Sequence, residues 1–144
     1  LRKRTNAPVH TMFQATDIDR FHSTEINPDL ATELLFVGNS RLKERLAVKW
    51  SIEADLPLTV YGADWEDIID PGYVKDTYFP NELLNEAYVS ADIVLNDHWP
   101  DMRDAGLISN RIFDALACGA FVISDDVAGI DELFAGAVPT FSSQ

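Results

Sequence analysis

The chain has one cysteine, Cys118, so no disulfide can form within it. That suits a reducing, cytoplasmic compartment. The flanking Leu116, Ala117 and Gly119 make the thiol read as a buried helix end. No apolar run approaches the roughly 20 residues that a membrane span requires. No signal peptide is legible either. Leu1 to Arg4 is basic, but Thr5 to His10 forms no apolar core behind it.

Positive charge is scarce. Eleven Lys and Arg face 24 Asp and Glu, a net charge of −13. Nucleic acid and anionic membrane are therefore disfavoured as general partners. The three histidines, His10, His22 and His98, stand far apart with no metal-ligand spacing. Glycine patterns exclude more. After the first apolar run comes Gly38-Asn39-Ser40, which is neither a dinucleotide fingerprint nor a P-loop. No GxSxG elbow of a serine hydrolase occurs.

What remains is an ordinary globular mix, 47% hydrophobic and 24% charged, long enough for one core. The chain begins at Leu1 and reads as a piece of a longer protein. Residues 1–30 read as a connector from a missing N-terminal domain, with an extra strand over His10 to Ala15 and a polar stretch from Thr16 to Pro28. Residues 31–144 read as one domain.

Four short, continuous apolar runs predict buried strands at 34–37, 58–61, 93–95 and 121–123. Such runs suit a sheet covered on both faces. A further short strand is expected at Gly72-Tyr73-Val74, and an edge strand over 137–141. Helical patterns fall at 42–54, 81–90, 110–118 and 130–134. This alternation predicts an α/β, doubly wound, parallel Rossmann-like sheet.

In that fold a ligand sits beyond the carboxyl ends of the strands, where strand order reverses. The run at 34–37 is expected beside the run at 93–95. The loops after them carry Arg41, Arg45, Arg103 and Arg111, four of only seven cations that follow Arg20. Guanidinium forks match phosphate oxygens, so an anionic ligand is expected there. Ser109 is placed to cap the next helix, whose free N–H groups would suit a phosphate. Arg111 in that first turn opposes the helix dipole unless an anion joins it. Pairing of Arg111 with Asp104 or Asp114 is the plainer reading. Asp114, one turn further, suits ribose hydroxyls or simply a solvated helix face. His98 either donates to a phosphate or sugar or makes a structural hydrogen bond.

Residues 106–125 (GLISNRIFDALACGAFVISD) resemble the C-terminal domain of GT-B glycosyltransferases, nearest the glycosyltransferase 1-like, CgeB-like group. Residues 36–41 (FVGNSR), 60–65 (VYGADW) and 91–103 (ADIVLNDHWPDMR) match in the same order. The likeness spans roughly residues 11 to 141. It implies a donor domain holding a nucleoside-diphosphate sugar as substrate, with no metal and no further cofactor. By position, Asn39, Ser40, Arg41 and Arg45 would meet the diphosphate. Tyr73, Val74 and Lys75 would meet the base, largely through backbone. Arg103, Asp104, Gly106, Ser109, Asn110 and Arg111 would hold sugar and phosphates, and Asp114 the ribose.

The chain departs from that family pattern in places. Of the two glutamates that often flank the donor loop, the second is Asp114 here and the first has no clear match. The usual arginine–lysine pair after the first strand is replaced by Arg41 and Arg45. The resemblance puts the acceptor site and the catalytic base in the missing domain, so no catalytic residue is expected in this chain. A non-catalytic Rossmann-like binding or scaffold module is the alternative. A receiver domain is disfavoured, because Asp125 and Asp126 come late and no lysine follows them.

Overall fold

The computed structural model describes residue 8 and residues 10–142. Six strands form one parallel sheet in the order β3-β2-β1-β4-β5-β6. They are β1 (Thr32–Val37), β2 (Leu58–Tyr61), β3 (Val74–Asp76), β4 (Ala91–Asn96), β5 (Val122–Asp125) and β6 (Thr140–Phe141). Five α-helices accompany them: α1 (Leu46–Glu53), α2 (Leu84–Ser90), α3 (Pro100–Ala105), α4 (Asn110–Ala117) and α5 (Ile130–Phe134). The expected α/β Rossmann-like sheet is present, and β1 lies beside β4.

Register explains why the apolar runs are continuous. Leu34 pairs with Leu58 and Phe36 with Val60, while Leu34 also meets Ile93 across β4. Every central strand therefore buries both faces. On one face Leu35, Val94 and Val122 pack with Ile112 and Ala115 of α4, Tyr88 of α2 and Ile130 of α5. On the other, Leu34, Phe36 and Val60 pack with Val48 of α1 and with Trp65. Trp65 is wholly enclosed and donates its indole N–H to Gly38 O at 2.9 Å. Its only polar atom is thus satisfied inside the core.

Several expected boundaries move. The helix expected from Leu42 begins at Leu46, because Arg41 and Leu42 adopt left-handed backbone at φ 52° and 57°. Ser40 Oγ accepts the Leu42 N–H at 3.1 Å and closes that turn. The short strand expected at Gly72 starts at Val74, after a single 3-10 turn over Pro71–Tyr73. Likewise a 3-10 turn over Asn81–Leu83 precedes α2.

Helix α3 was not expected. Its signals are Pro100 in the first turn and left-handed Gly106 at its end, φ 65°. No strand forms over His10 to Ala15. The sheet edges are β3 and β6, and residues 10–15 are exposed with no ladder to join. Phe21 is buried and stacks on Tyr88, and Asn27 donates to Glu86 at 2.8 Å, so the stretch from Phe21 to Asn27 docks on α2.

Candidate functional site

The loops after β1, β4 and β5 and the start of α4 meet at the carboxyl edge of the sheet, where strand order reverses. Beneath them lies a buried polar layer. Four residues expected to face a ligand, Ser40, Arg45, His98 and Arg111, direct their polar groups into the protein instead.

Arg45 is 6% exposed and pairs with Asp97. Its Nε donates to Asp97 Oδ1 at 2.7 Å and its Nη2 to the Asp97 carbonyl at 2.8 Å. Asp97 also accepts the Ala47 N–H at 3.3 Å, so it caps α1 from across the sheet. The Arg111 guanidinium runs under β1. It donates to Val37 O at 2.6 Å and to Asn96 Oδ1 at 2.7 Å. Burial lowers its pKa from the ordinary value. Neither Asp104 nor Asp114 is its hydrogen-bond partner; its opposition to the α4 dipole is met by carbonyl oxygens of neighbouring strands.

His98 is buried at the end of β4. Its Nε2 accepts the Ser109 backbone N–H at 2.8 Å, and its Nδ1 lies 2.5 Å from Asp125 Oδ1. Both ring nitrogens are therefore engaged within the protein. Ser109 does occupy the cap position of α4, but its side chain makes no capping bond. Ser40 is fully buried, and its hydroxyl donates to Asp64 O.

Other cations remain outside this layer. Arg41 is exposed on its left-handed turn, with its guanidinium 5.2 Å from the Trp99 ring. Arg41, Lys43, Trp99, Pro100 and Asp101 line an open cavity of about 320 Å³. The Arg103 side chain is 35% exposed and stands 3.6 Å from Asp125 Oδ2. Asp104 and Asn110 are exposed, and Gly106 turns the chain between α3 and α4. Asn39 is exposed, and its Oδ1 accepts the Ala63 N–H at 2.9 Å, tying the β1 and β2 loops together.

Tyr73, Val74 and Lys75 lie at the β3 edge, separated from β4 by β2 and β1. Val74 and Lys75 join Gly62, Trp65 and Asp76 around a cavity of about 440 Å³. Tyr73 instead packs into the core beside Trp65.

Asp114 sits on α4 with one oxygen, Oδ1, buried and without a hydrogen-bond partner. Its Oδ2 accepts weakly from Asn110 at 3.4 Å. Burial raises its pKa, and Thr16 and Asn110, then the charges of Arg20 and Arg111, counter part of that rise. An orphaned buried oxygen is uncommon in a folded protein and marks a place where a donor group would be welcome.

Sequence reasoning did not single out Asn96, Asp97, Trp99, Lys43 or Asp125 as site components. A usable signal existed for the acids. Asp97 and Asp125 come immediately at or after the ends of buried strands, where a carboxylate must find partners.

A family model described as glycosyl transferase-like matches residues 41–143, well over half the chain. No curated protein and no solved structure gives a match.

Proposed function

The chain belongs to the glycosyl transferase-like family, and we propose that it is the donor-binding domain of a metal-independent, two-domain glycosyltransferase. The substrate is a nucleoside-diphosphate sugar seated across the carboxyl edge of the sheet. One observation carries this reading. In a chain of net charge −13, exposed Arg41 on the loop after β1 and part-exposed Arg103 on helix α3 after β4 flank the β1–β4 switch point.

Arg41, with Asn39 beside it, engages the diphosphate. Arg103 does so from the other side, and the backbone N–H groups at the start of α4 supply further donors. Together they stabilise the negative charge that develops on the departing diphosphate. Gly106 to Asn110 borders the sugar, and the orphaned oxygen of Asp114 accepts from a ribose hydroxyl. The base lies toward Val74 and Lys75. Arg45, His98 and Arg111 hold the walls of the site. Among the described residues no group of three or more His, Cys, Asp or Glu is placed to hold a metal. Also among them, no helix is long and apolar enough to cross a membrane. The acceptor and the catalytic base belong to the second domain, and the compartment is cytoplasmic.

Calorimetric titration of the chain with UDP, GDP and ADP tests the reading. Binding of at least one, weakened by Arg41→Ala, is expected. Failure of every nucleoside diphosphate and nucleotide sugar to bind overturns it.

A further inference from the structure

Asp125 is 2% exposed, at the last position of β5. It faces four donors from three elements. The His98 backbone N–H reaches its two oxygens at 3.0 and 3.1 Å. His98 Nδ1 lies 2.5 Å from Oδ1. The Ser124 hydroxyl donates to Oδ1 at 3.3 Å, and Arg103 Nη1 stands 3.6 Å from Oδ2.

The His98 tautomer follows from its other side. A backbone N–H can only donate, so the Nε2 that receives the Ser109 N–H must be unprotonated. The ring proton is therefore on Nδ1 and points at the Asp125 carboxylate. A carboxylate that accepts from one ring nitrogen leaves the other as acceptor. Ser109 is the cap residue of α4, the helix whose start borders the donor crevice. The same carboxylate thus governs where α4 begins and where Arg103 points.

We infer that Asp125 is a positioning residue for anion binding: through the His98 tautomer it fixes the Ser109 N–H and the start of α4, and directly it aims Arg103 at the diphosphate. This rests on the donor-site reading above. Asp125 itself touches no substrate. Its negative charge is countered by the Arg103 guanidinium and spread over hydrogen bonds from His98 and Ser124, which weakens its repulsion of a bound diphosphate. A neutral amide in its place can donate as well as accept. It would allow the proton to move to Nε2, where two donors, Nε2–H and Ser109 N–H, would then face each other.

The test uses ring-nitrogen NMR of His98, the Ser109 amide resonance and calorimetry with inorganic pyrophosphate. The wild-type chain is expected to show the Nδ1–H tautomer, a Ser109 amide protected from exchange, and pyrophosphate binding. Asp125→Asn is expected to lose that single tautomer and the Ser109 protection. Its pyrophosphate affinity should fall about tenfold, the size of one lost charge-assisted contact. A helix start that is merely structural would leave the affinity unchanged. An Nε2–H tautomer in the wild type, read without any variant, overturns the inference. So does full pyrophosphate affinity in Asp125→Asn. If wild type keeps the tautomer and the protected amide but binds neither pyrophosphate nor any nucleoside diphosphate, the donor-site reading fails and this inference with it.

Discussion

Arg45 and Asp97 form a buried ion pair that joins the loop after β1 to the loop after β4. Asp97 also caps α1 through the Ala47 N–H. One carboxylate thus locks the two loops that flank the switch point and anchors the helix beneath them. Removing one member of such a pair leaves an uncompensated buried charge. Arg45→Ala should therefore lower unfolding stability by about 3–5 kcal/mol. Arg45→Met combined with Asp97→Leu should cost less than Arg45→Ala alone, since the stranded charge is gone. Urea denaturation of the three chains decides it. Equal losses for single and double variants would deny that the unpaired charge is the cause.

Arg41 makes no ion pair among the described residues, and its exposed guanidinium rests near Trp99. Arg41→Ala should change stability by no more than about 0.5 kcal/mol, as surface substitutions do. Its effect should appear instead in nucleoside-diphosphate affinity, with a loss of about tenfold for one charge-assisted contact. Thermal melts and calorimetry on the same preparation separate the two.

Asp114 has a pKa raised by burial above its ordinary value of 3.8. A raised carboxylate pKa means that the folded state holds the proton more tightly than the unfolded state. The stabilising contribution is then fully present below the ordinary value and is lost as pH rises through the raised one. Asp114→Asn mimics the protonated form at every pH. It should be more stable than wild type at neutral pH, with the gap closing as pH falls through the raised pKa and gone below 3.8. A gap that widens toward acid would contradict the sign.

Cys118 is 2% exposed, its thiol donates to Asn85 Oδ1 at 3.2 Å, and burial pushes its pKa up to about 11. Only the thiolate reacts with alkylating reagents. Folded protein at pH 8 should therefore resist iodoacetamide for hours, while denatured protein is modified within minutes. Mass spectrometry after each treatment gives the result.

Gly62 has φ +139°, and a Cβ there would stand 2.3 Å from Gly38 O. The β1 and β2 loops approach too closely for any side chain. Gly62→Ala should destabilise by about 1–3 kcal/mol through strain and backbone displacement. It should also weaken diphosphate binding, because Asn39 is tied to Ala63 across the same gap. A variant as stable as wild type would show that the loops separate freely.

The sequence by itself determined the class of fold. Runs such as Leu34 to Val37 and Ile93 to Leu95 are apolar without alternation because both sides of their strands are covered. Their order along the chain then places β1 beside β4, and the scarcity of cations draws attention to that edge. Local patterns also located α4 and α5 closely. Tertiary structure alone decided which arginines face outward. Arg41 and Arg45 are four residues apart and chemically identical, yet one is exposed and the other sealed against Asp97. Arg103 and Arg111 divide in the same way, as Arg111 reaches Val37 across the sheet. His98 is likewise fixed by Asp125 and Ser109. Each of those partners comes from a different strand or helix, brought within hydrogen-bond range only when the sheet closes around its core. Local propensity acts over a few residues and carries no term for a partner 52 or 74 positions away.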